Sequence, residues 1–153
     1  VEIERKFLVK PELLPKLPKG KRIVQGYLSL SPCVRVRIED GKKAWLTIKG
    51  PGLFVREEYE YRIPLPDAKK MMALCLCKIE KTRRRMGRWE IDEFKEPKGL
   101  WLAEIELETP HQSDFDLPEC ICNEVTTNSK YANVNLAAEA TIARLARKNR
   151  KEK

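Results

Sequence analysis

Apolar and ionisable residues alternate along most of this chain. Ile3 stands between Glu2 and Glu4, and Val34, Val36 and Ile38 interleave with Arg35 and Arg37. Leu46 and Ile48 flank Thr47, with Lys49 next; Tyr59 and Tyr61 interleave with Glu58 and Glu60. Ile91 separates Glu90 from Asp92, and Ala103, Ile105 and Leu107 alternate with Glu104, Glu106 and Glu108. A period of two places successive side chains on opposite faces of a strand. The pattern predicts strands over 1–10, 22–31, 33–40, 43–50, 53–65, 78–86, 88–96 and 100–109. Turn residues separate several of them, as at Asp40-Gly41, Gly50-Pro51-Gly52 and Pro97-Lys98-Gly99. Such short spacings favour antiparallel hairpins over parallel crossovers. Two stretches break the alternation. Residues 67–77 read as a short helix with Asp67 as N-cap, and 136–149 as a helix with Leu136, Ile142, Leu145 and Ala146 as its apolar positions. With no repeat and no internal boundary, 1–149 forms one domain, followed by a basic tail at 150–153.

Each strand therefore has one ionisable face and one largely apolar face. A sheet with its charged face in water would satisfy this, given helices beneath it; so would a closed barrel with its charges pointing inward. The predicted helices are too few to cover so much apolar strand. Each charged face also tends to keep one sign, and acids spaced two apart, as at Glu104, Glu106 and Glu108, repel one another unless a cation intervenes. The expected class is α+β, mostly β: an eight-stranded antiparallel barrel with a few flanking helices, one of them C-terminal.

Composition sharpens the question of what the charges do. Of 153 residues, 35% are charged, and the net charge is +8, against a usual charged share of about 25%. A basic balance implies an anionic partner. Part of the excess sits in Arg144, Arg147, Lys148, Arg150, Lys151 and Lys153, a solvated helix face and tail, so nucleic acid is not the expected partner. The five cysteines include Cys75-x-Cys77 and Cys120-x-Cys122. One intervening residue is too few for the usual paired zinc ligands, so reduced, packed thiols are expected. An odd cysteine count without a leader points to the cytoplasm. No apolar run approaches the ~20 residues of a membrane span. Trp45, Trp89 and Trp101 read as packing residues, and His111 as a surface residue.

The bases Lys6, Arg35, Arg37, Lys49, Arg56, Lys81 and Arg83 suit phosphate oxygens. The acids Glu2, Glu4, Glu58, Glu60, Glu90, Asp92, Glu104 and Glu106 suit a hard cation such as Mg²⁺ or Mn²⁺. Together they are the parts needed for phosphoryl transfer. The residues that carry these charges also resemble a known family. Glu2-Ile-Glu4-Arg5-Lys6 is similar to the ExExK signature of the CYTH superfamily, the triphosphate tunnel metalloenzymes. In order after it come Val34-Arg35-Val36-Arg37, Leu46-Thr47-Ile48-Lys49, Arg56-Glu57-Glu58-Tyr59-Glu60, Lys81-Thr82-Arg83, Glu90-Ile91-Asp92 and Ala103-Glu104-Ile105-Glu106. Each resembles a strand motif of that family. Val125-Thr126-Thr127-Asn128-Ser129-Lys130-Tyr131 resembles a later element, with Asn128 where Asp is usual and Lys130 where Arg is usual.

The resemblance implies an eight-stranded tunnel and a metal held by Glu2, Glu4 and Glu106, with Asp92 and Glu104 beside them. It also implies a substrate path lined by Lys6, Arg35, Arg37, Lys49, Arg56, Lys81 and Arg83, with Lys130 near it. Glu58 or Glu60 would position the attacking water, with Lys81 in the same catalytic set. The expected activity is metal-dependent hydrolysis of a triphosphate, led by inorganic tripolyphosphate. The rivals are a class IV adenylate cyclase, a thiamine triphosphatase and a non-catalytic polyphosphate- or RNA-binding module. The partner is a small triphosphate; a homodimer is allowed but not indicated. Glu4→Gln is expected to cut turnover sharply and leave the thermal melt near that of the parent.

Overall fold

The computed structural model describes residues 1–152. Ten strands make one antiparallel sheet that curls into a nearly closed barrel: β1 (Glu2–Val9), β2 (Lys21–Leu30), β3 (Cys33–Glu39), β4 (Lys43–Lys49), β5 (Val55–Arg56), β6 (Glu58–Ile63), β7 (Cys77–Met86), β8 (Trp89–Phe94), β9 (Trp101–Glu106) and β10 (Ile121–Glu124). Nine run in the order β10-β1-β9-β8-β7-β2-β3-β4-β6, while β5 pairs with β1.

The count differs from eight for two reasons. The stretch expected as a single strand over 53–65 bends at Glu57. Its later half pairs with β4, placing Thr47 opposite Glu60. Its earlier half pairs with β1, placing Glu2 opposite Arg56. One segment thus spans the seam that closes the barrel. The other addition is β10, four residues beyond a long irregular stretch, which pairs with the far end of β1.

The register sets the faces. Tyr27 lies opposite Arg35 and Gln25 opposite Arg37. Arg83 lies opposite Asp92, Glu90 opposite Glu104 and Lys6 opposite Glu104. Directly paired residues share a face, so the ionisable face is continuous around the bore. The apolar residues between them point outward and are covered in two places. Helix α1 (Leu65–Ala73) packs Ala68 and Met72 over Val36 and Ala44 on β3 and β4. On the other side Ile3, Phe7, Trp89, Ile91, Ala103, Ile105 and Leu107 pack with Cys120, Ile121 and the partly buried Phe115. Much of the cover that helices could not supply is thus irregular chain. Ile48, Tyr59 and Tyr61 remain exposed at 37, 51 and 56%.

Helix α1 starts earlier than expected and stops earlier too. Pro64 is its N-cap, and Pro66 sits in its first turn, where a missing amide costs little. Asp67 therefore lies inside the first turn and meets the helix dipole as a charge, not as a cap. The helix cannot reach 77 because Cys77 pairs with Tyr27. Helix α2 runs Asn133–Lys151 and buries Leu136, Ala137 and Ala140. Ile142 and Leu145 are exposed, so the expected apolar stripe was displaced toward the N-terminal end. Leu136 and Ala137 pack against Tyr27, Ile79, Phe94 and Leu102, and α2 stoppers one end of the barrel. Among the described residues no helix is long and apolar enough to cross a membrane.

Candidate active site

The bore is a cavity of about 520 Å³. Nine bases and eight acids line it. Glu2 and Glu4 from β1 stand beside Glu104 and Glu106 from β9, with Glu4 paired across to Glu106. Arg35 and Arg37 from β3, Lys49 from β4, Arg56 from β5, and Lys81 and Arg83 from β7 supply the opposing charge.

The acids divide by how fully they are engaged. Glu2 accepts from Lys49 Nζ at 3.0 and 3.1 Å and from Arg56 Nε at 3.1 Å. Burial pushes its carboxyl up, but a hydrogen bond from Glu58 and the charges of Lys49 and Arg56 outweigh that and hold it at about 2. Glu58 is pushed up, first by burial and then by the hydrogen it shares with Glu2; its Oε2 has no hydrogen-bond partner among the described residues. Glu4 is different. Burial, reinforced by the neighbouring Glu104, raises it to about 8, so at neutral pH it holds a proton. Glu104 is held well below the ordinary range: burial opposes ionisation, but Lys6, Lys81 and Arg83 overcome it, with a hydrogen bond from Glu4. Glu106 is exposed at the cavity wall.

Asp92 is 0% exposed. Its oxygens accept from Lys81 Nζ at 2.7 Å and from Arg83 Nε and Nη2 at 2.8 Å each, and it is not part of the cavity lining. Arg83 also reaches Glu90 at 2.7 Å and Glu104 at 3.2 Å. This network answers the cost of burying charge, since every member has a partner. The bases feel one another as well. Burial, then Arg35 and Arg83, lowers Arg37 to about 10. Burial lowers Lys81 to about 8, with Asp92 opposing and Arg83 assisting. Arg35 is 6% exposed; its Nη2 donates to Thr47 and Glu60, while its Nε has no hydrogen-bond partner among the described residues. Crowded, partly unsatisfied bases are what a bound anion relieves.

Most residues expected at the site meet in this bore. Lys6 is an exception: it does not line the bore but sits beside it, 3.7 Å from Glu104 and donating to the Tyr131 carbonyl at 3.0 Å. Glu60 accepts from Thr47 at 2.8 Å and from Arg35 at 3.4 Å. Lys130 is not brought in. It is exposed, with Nζ 5.6 Å from the Tyr131 ring, while Asn128 caps only the single 3₁₀ turn at Ser129–Tyr131. Several cavity residues were missed, among them the charged Lys19, Lys21 and Glu39 and the polar Asn133 and Tyr27. Asn133 accepts from Lys81 at 2.9 Å and donates to Glu104 at 3.4 Å. Tyr27 lines the bore and accepts from Gln25 at 3.2 Å. Tyr27 sits at an inward position of β2, so its alternation was readable; Asn133 sits on a helix whose docking the sequence does not state.

The carboxylates offer hard oxygen ligands, the type that suits Mg²⁺ or Mn²⁺. Among the described residues no three of them converge as placed into a ready-made metal cluster. Glu4 and Glu106 lie directly opposite one another, with Glu2 and Glu104 adjacent, so oxygen donors of the type a divalent ion takes are gathered on β1 and β9.

Fold and bore define a class: an antiparallel β tunnel lined by paired acids and bases, with one end stoppered by a helix. The CYTH domain model matches residues 1–140, and the chain belongs to the CYTH family. An inorganic triphosphatase of Acetivibrio thermocellus is 40% identical over 146 residues, covering 88% of this chain and 92% of that protein. The crystal structure of the inorganic triphosphatase NE1496 aligns with a TM-score of 0.62 at 28% identity, over 90% of this chain and 94% of that one. A conserved hypothetical protein of Pyrococcus furiosus shares the fold, with a TM-score of 0.53 at 18% identity, over 71% of this chain and 80% of that one. Enzymes of this family are in general metal-dependent.

Proposed function

We propose that this chain is a metal-dependent inorganic triphosphatase that cleaves tripolyphosphate to pyrophosphate and phosphate in the bore. The observation that carries the reading is the near-equality of bases and acids in one cavity. A site for an anion alone would be expected to show an excess of bases. A site for an anion bridged to the wall by a cation needs both.

A bound Mg²⁺ or Mn²⁺ would supply neutralisation and polarisation of phosphate oxygens; Glu4 and Glu106, with Glu2 and Glu104 beside them, would hold it. Arg35, Arg37, Lys49, Arg56 and Arg83 bind the remaining oxygens and stabilise charge as it builds on the bridging oxygen. Glu58 and Glu60 orient a water for attack on the terminal phosphorus. The phosphorus–oxygen bond to the pyrophosphate breaks, and the water's proton passes to one of those carboxylates. Lys81, lowered to about 8, can likewise give or take a proton near neutrality.

The family resemblance also allows adenylate cyclase and thiamine triphosphatase chemistry. Either needs a surface on which a heterocycle can stack. Tyr27 is the one aromatic residue lining the cavity, and it is 2% exposed; Trp45 and Trp101 instead meet Arg62 and Arg84. The basic C-terminal half of α2 is exposed, away from the bore. Purified protein is incubated with tripolyphosphate, ATP and thiamine triphosphate, each with Mg²⁺ or Mn²⁺. Orthophosphate and pyrophosphate from tripolyphosphate is the expected result; cyclic AMP from ATP would overturn it.

A further inference from the structure

Helix α2 is held to the barrel by one side only. Leu136, Ala137 and Ala140 in its first turns are buried. Further along, Thr141 Oγ1 accepts from the Lys78 amide at 3.0 Å and Arg144 donates to the Lys78 carbonyl at 2.8 Å. Arg144 and Arg147 also pair with Glu96. From Arg144 to Glu152 every residue is exposed, so the helix end projects from the barrel. Its free side is apolar. Ile142, Leu145 and Ala146 follow the i, i+3, i+4 spacing of one helix face. At 100° per residue that face is turned away from Arg144 and Arg147, and Ile142 and Leu145 are 63 and 55% exposed. Between 141 and 151 the helix carries five bases and no acid. The ion pairs to Glu96 use Arg144 and Arg147, and leave Lys148, Arg150 and Lys151 free among the described residues. Two more leucines belong to this end. Leu74 and Leu76 are 74 and 63% exposed, and they lead into the Lys78 that Thr141 holds.

We infer that this end of the molecule is a peripheral docking surface for an anionic lipid bilayer. A helix with an apolar stripe and a basic polar side lies in the plane of a membrane interface. Apolar burial and attraction to acidic headgroups hold it there. Charge favours that partner over a second copy of this chain, because two copies at +8 each would bring the same free bases together. The exposed aliphatic side chains favour it over RNA, which the bases alone would satisfy. Those side chains come from two separate elements, α2 and the stretch before β7, and a lipid interface receives them without a matching groove. Because α2 stoppers the end that it crosses, docking there leaves the bore accessible from its other end, where the exposed Lys19, Lys21 and Arg85 line it. The inference stands apart from the triphosphatase reading.

The whole chain is floated with vesicles of phosphatidylcholine alone and of phosphatidylcholine mixed with phosphatidylglycerol. Binding to the anionic vesicles only is expected, and it should weaken as salt is raised. Lys148→Gln, Arg150→Gln and Lys151→Gln should each lower the partition coefficient about fivefold. Ile142→Ser with Leu145→Ser keeps the charge and should lower it about tenfold, with the melt and tripolyphosphate turnover as in the parent. Leu145→Trp should add fluorescence that moves to shorter wavelength on anionic vesicles, beyond any change in the parent, as the ring enters an apolar layer. Full binding by the serine variant with no such movement would mean adsorption by charge alone and overturn the docking face. A chain that binds single-stranded RNA but leaves anionic vesicles at low salt overturns it as well. If vesicles are bound as expected and tripolyphosphate is not hydrolysed, the docking surface stands and the triphosphatase reading falls.

Discussion

The proton on Glu4 has a measurable cost. In the folded chain this carboxyl is raised from 4.5 to about 8, so folding takes up a proton between those pH values. A group that binds a proton more tightly when folded contributes stability below its unfolded value and loses it as pH rises through its folded value. The slope is about 1.4 kcal/mol per pH unit. At pH 7 Glu4 therefore costs the metal-free fold about 3 kcal/mol that it does not cost near pH 4.5. Glu4→Gln keeps the shape and a donor toward Glu104, and removes the titration. In the presence of a chelator its melt should match the parent's near pH 5 and exceed it by roughly 6–12 °C at pH 7, for a chain of about 150 residues. Saturating Mg²⁺ should reverse the order by stabilising only the parent, and tripolyphosphate turnover should be lost. The sequence alone suggests an unchanged melt; the burial of Glu4 beside Glu104 is what alters that expectation. The reasoning is refuted if the two melts run parallel across this pH range without metal.

Other substitutions probe the remaining parts of the structure. Asp92→Asn leaves Lys81 and Arg83 buried without the charge that neutralises them there and should cost about 3–5 kcal/mol in urea unfolding; adding Lys81→Met should recover part of it, and an unchanged midpoint would contradict the network. Gly26→Val places a Cβ 2.5 Å from both Cys75 Sγ and Met72 Sδ, so it should push α1 off the sheet and cost about 1–3 kcal/mol. Because Gly26 faces outward, pyrophosphate affinity should barely change, and a large loss of affinity would show that α1 acts on the bore. EDTA should abolish tripolyphosphate hydrolysis, with Mg²⁺ or Mn²⁺ restoring it; full activity in EDTA would remove the assigned role of the carboxylate wall.

Much of the site was readable because β-strand periodicity is strict. Once Arg35 is inside, Arg37 is inside and Val36 is outside, and the same holds for Lys81 and Arg83 or for Glu104 and Glu106. Helices gave less. Asp67 looked like a cap because caps favour Asp, but Pro66 allowed the helix to begin sooner. The apolar positions Ile142 and Leu145 suggested a buried face, yet α2 buries only its first turns and meets β7 further along through the polar Thr141 and Arg144, which bond Lys78.

The sequence by itself determined the strands, their two faces and the sorting of charge along them, since these follow from local alternation and need no knowledge of distant neighbours. Only the tertiary structure decided the state of each charge. It put Asp92 between Lys81 and Arg83, put a proton on Glu4, kept Lys130 outside and brought Asn133 to the floor. The physical reason is that ionisation and pairing depend on burial and on groups far away in the chain, which come together only when the barrel closes on α2.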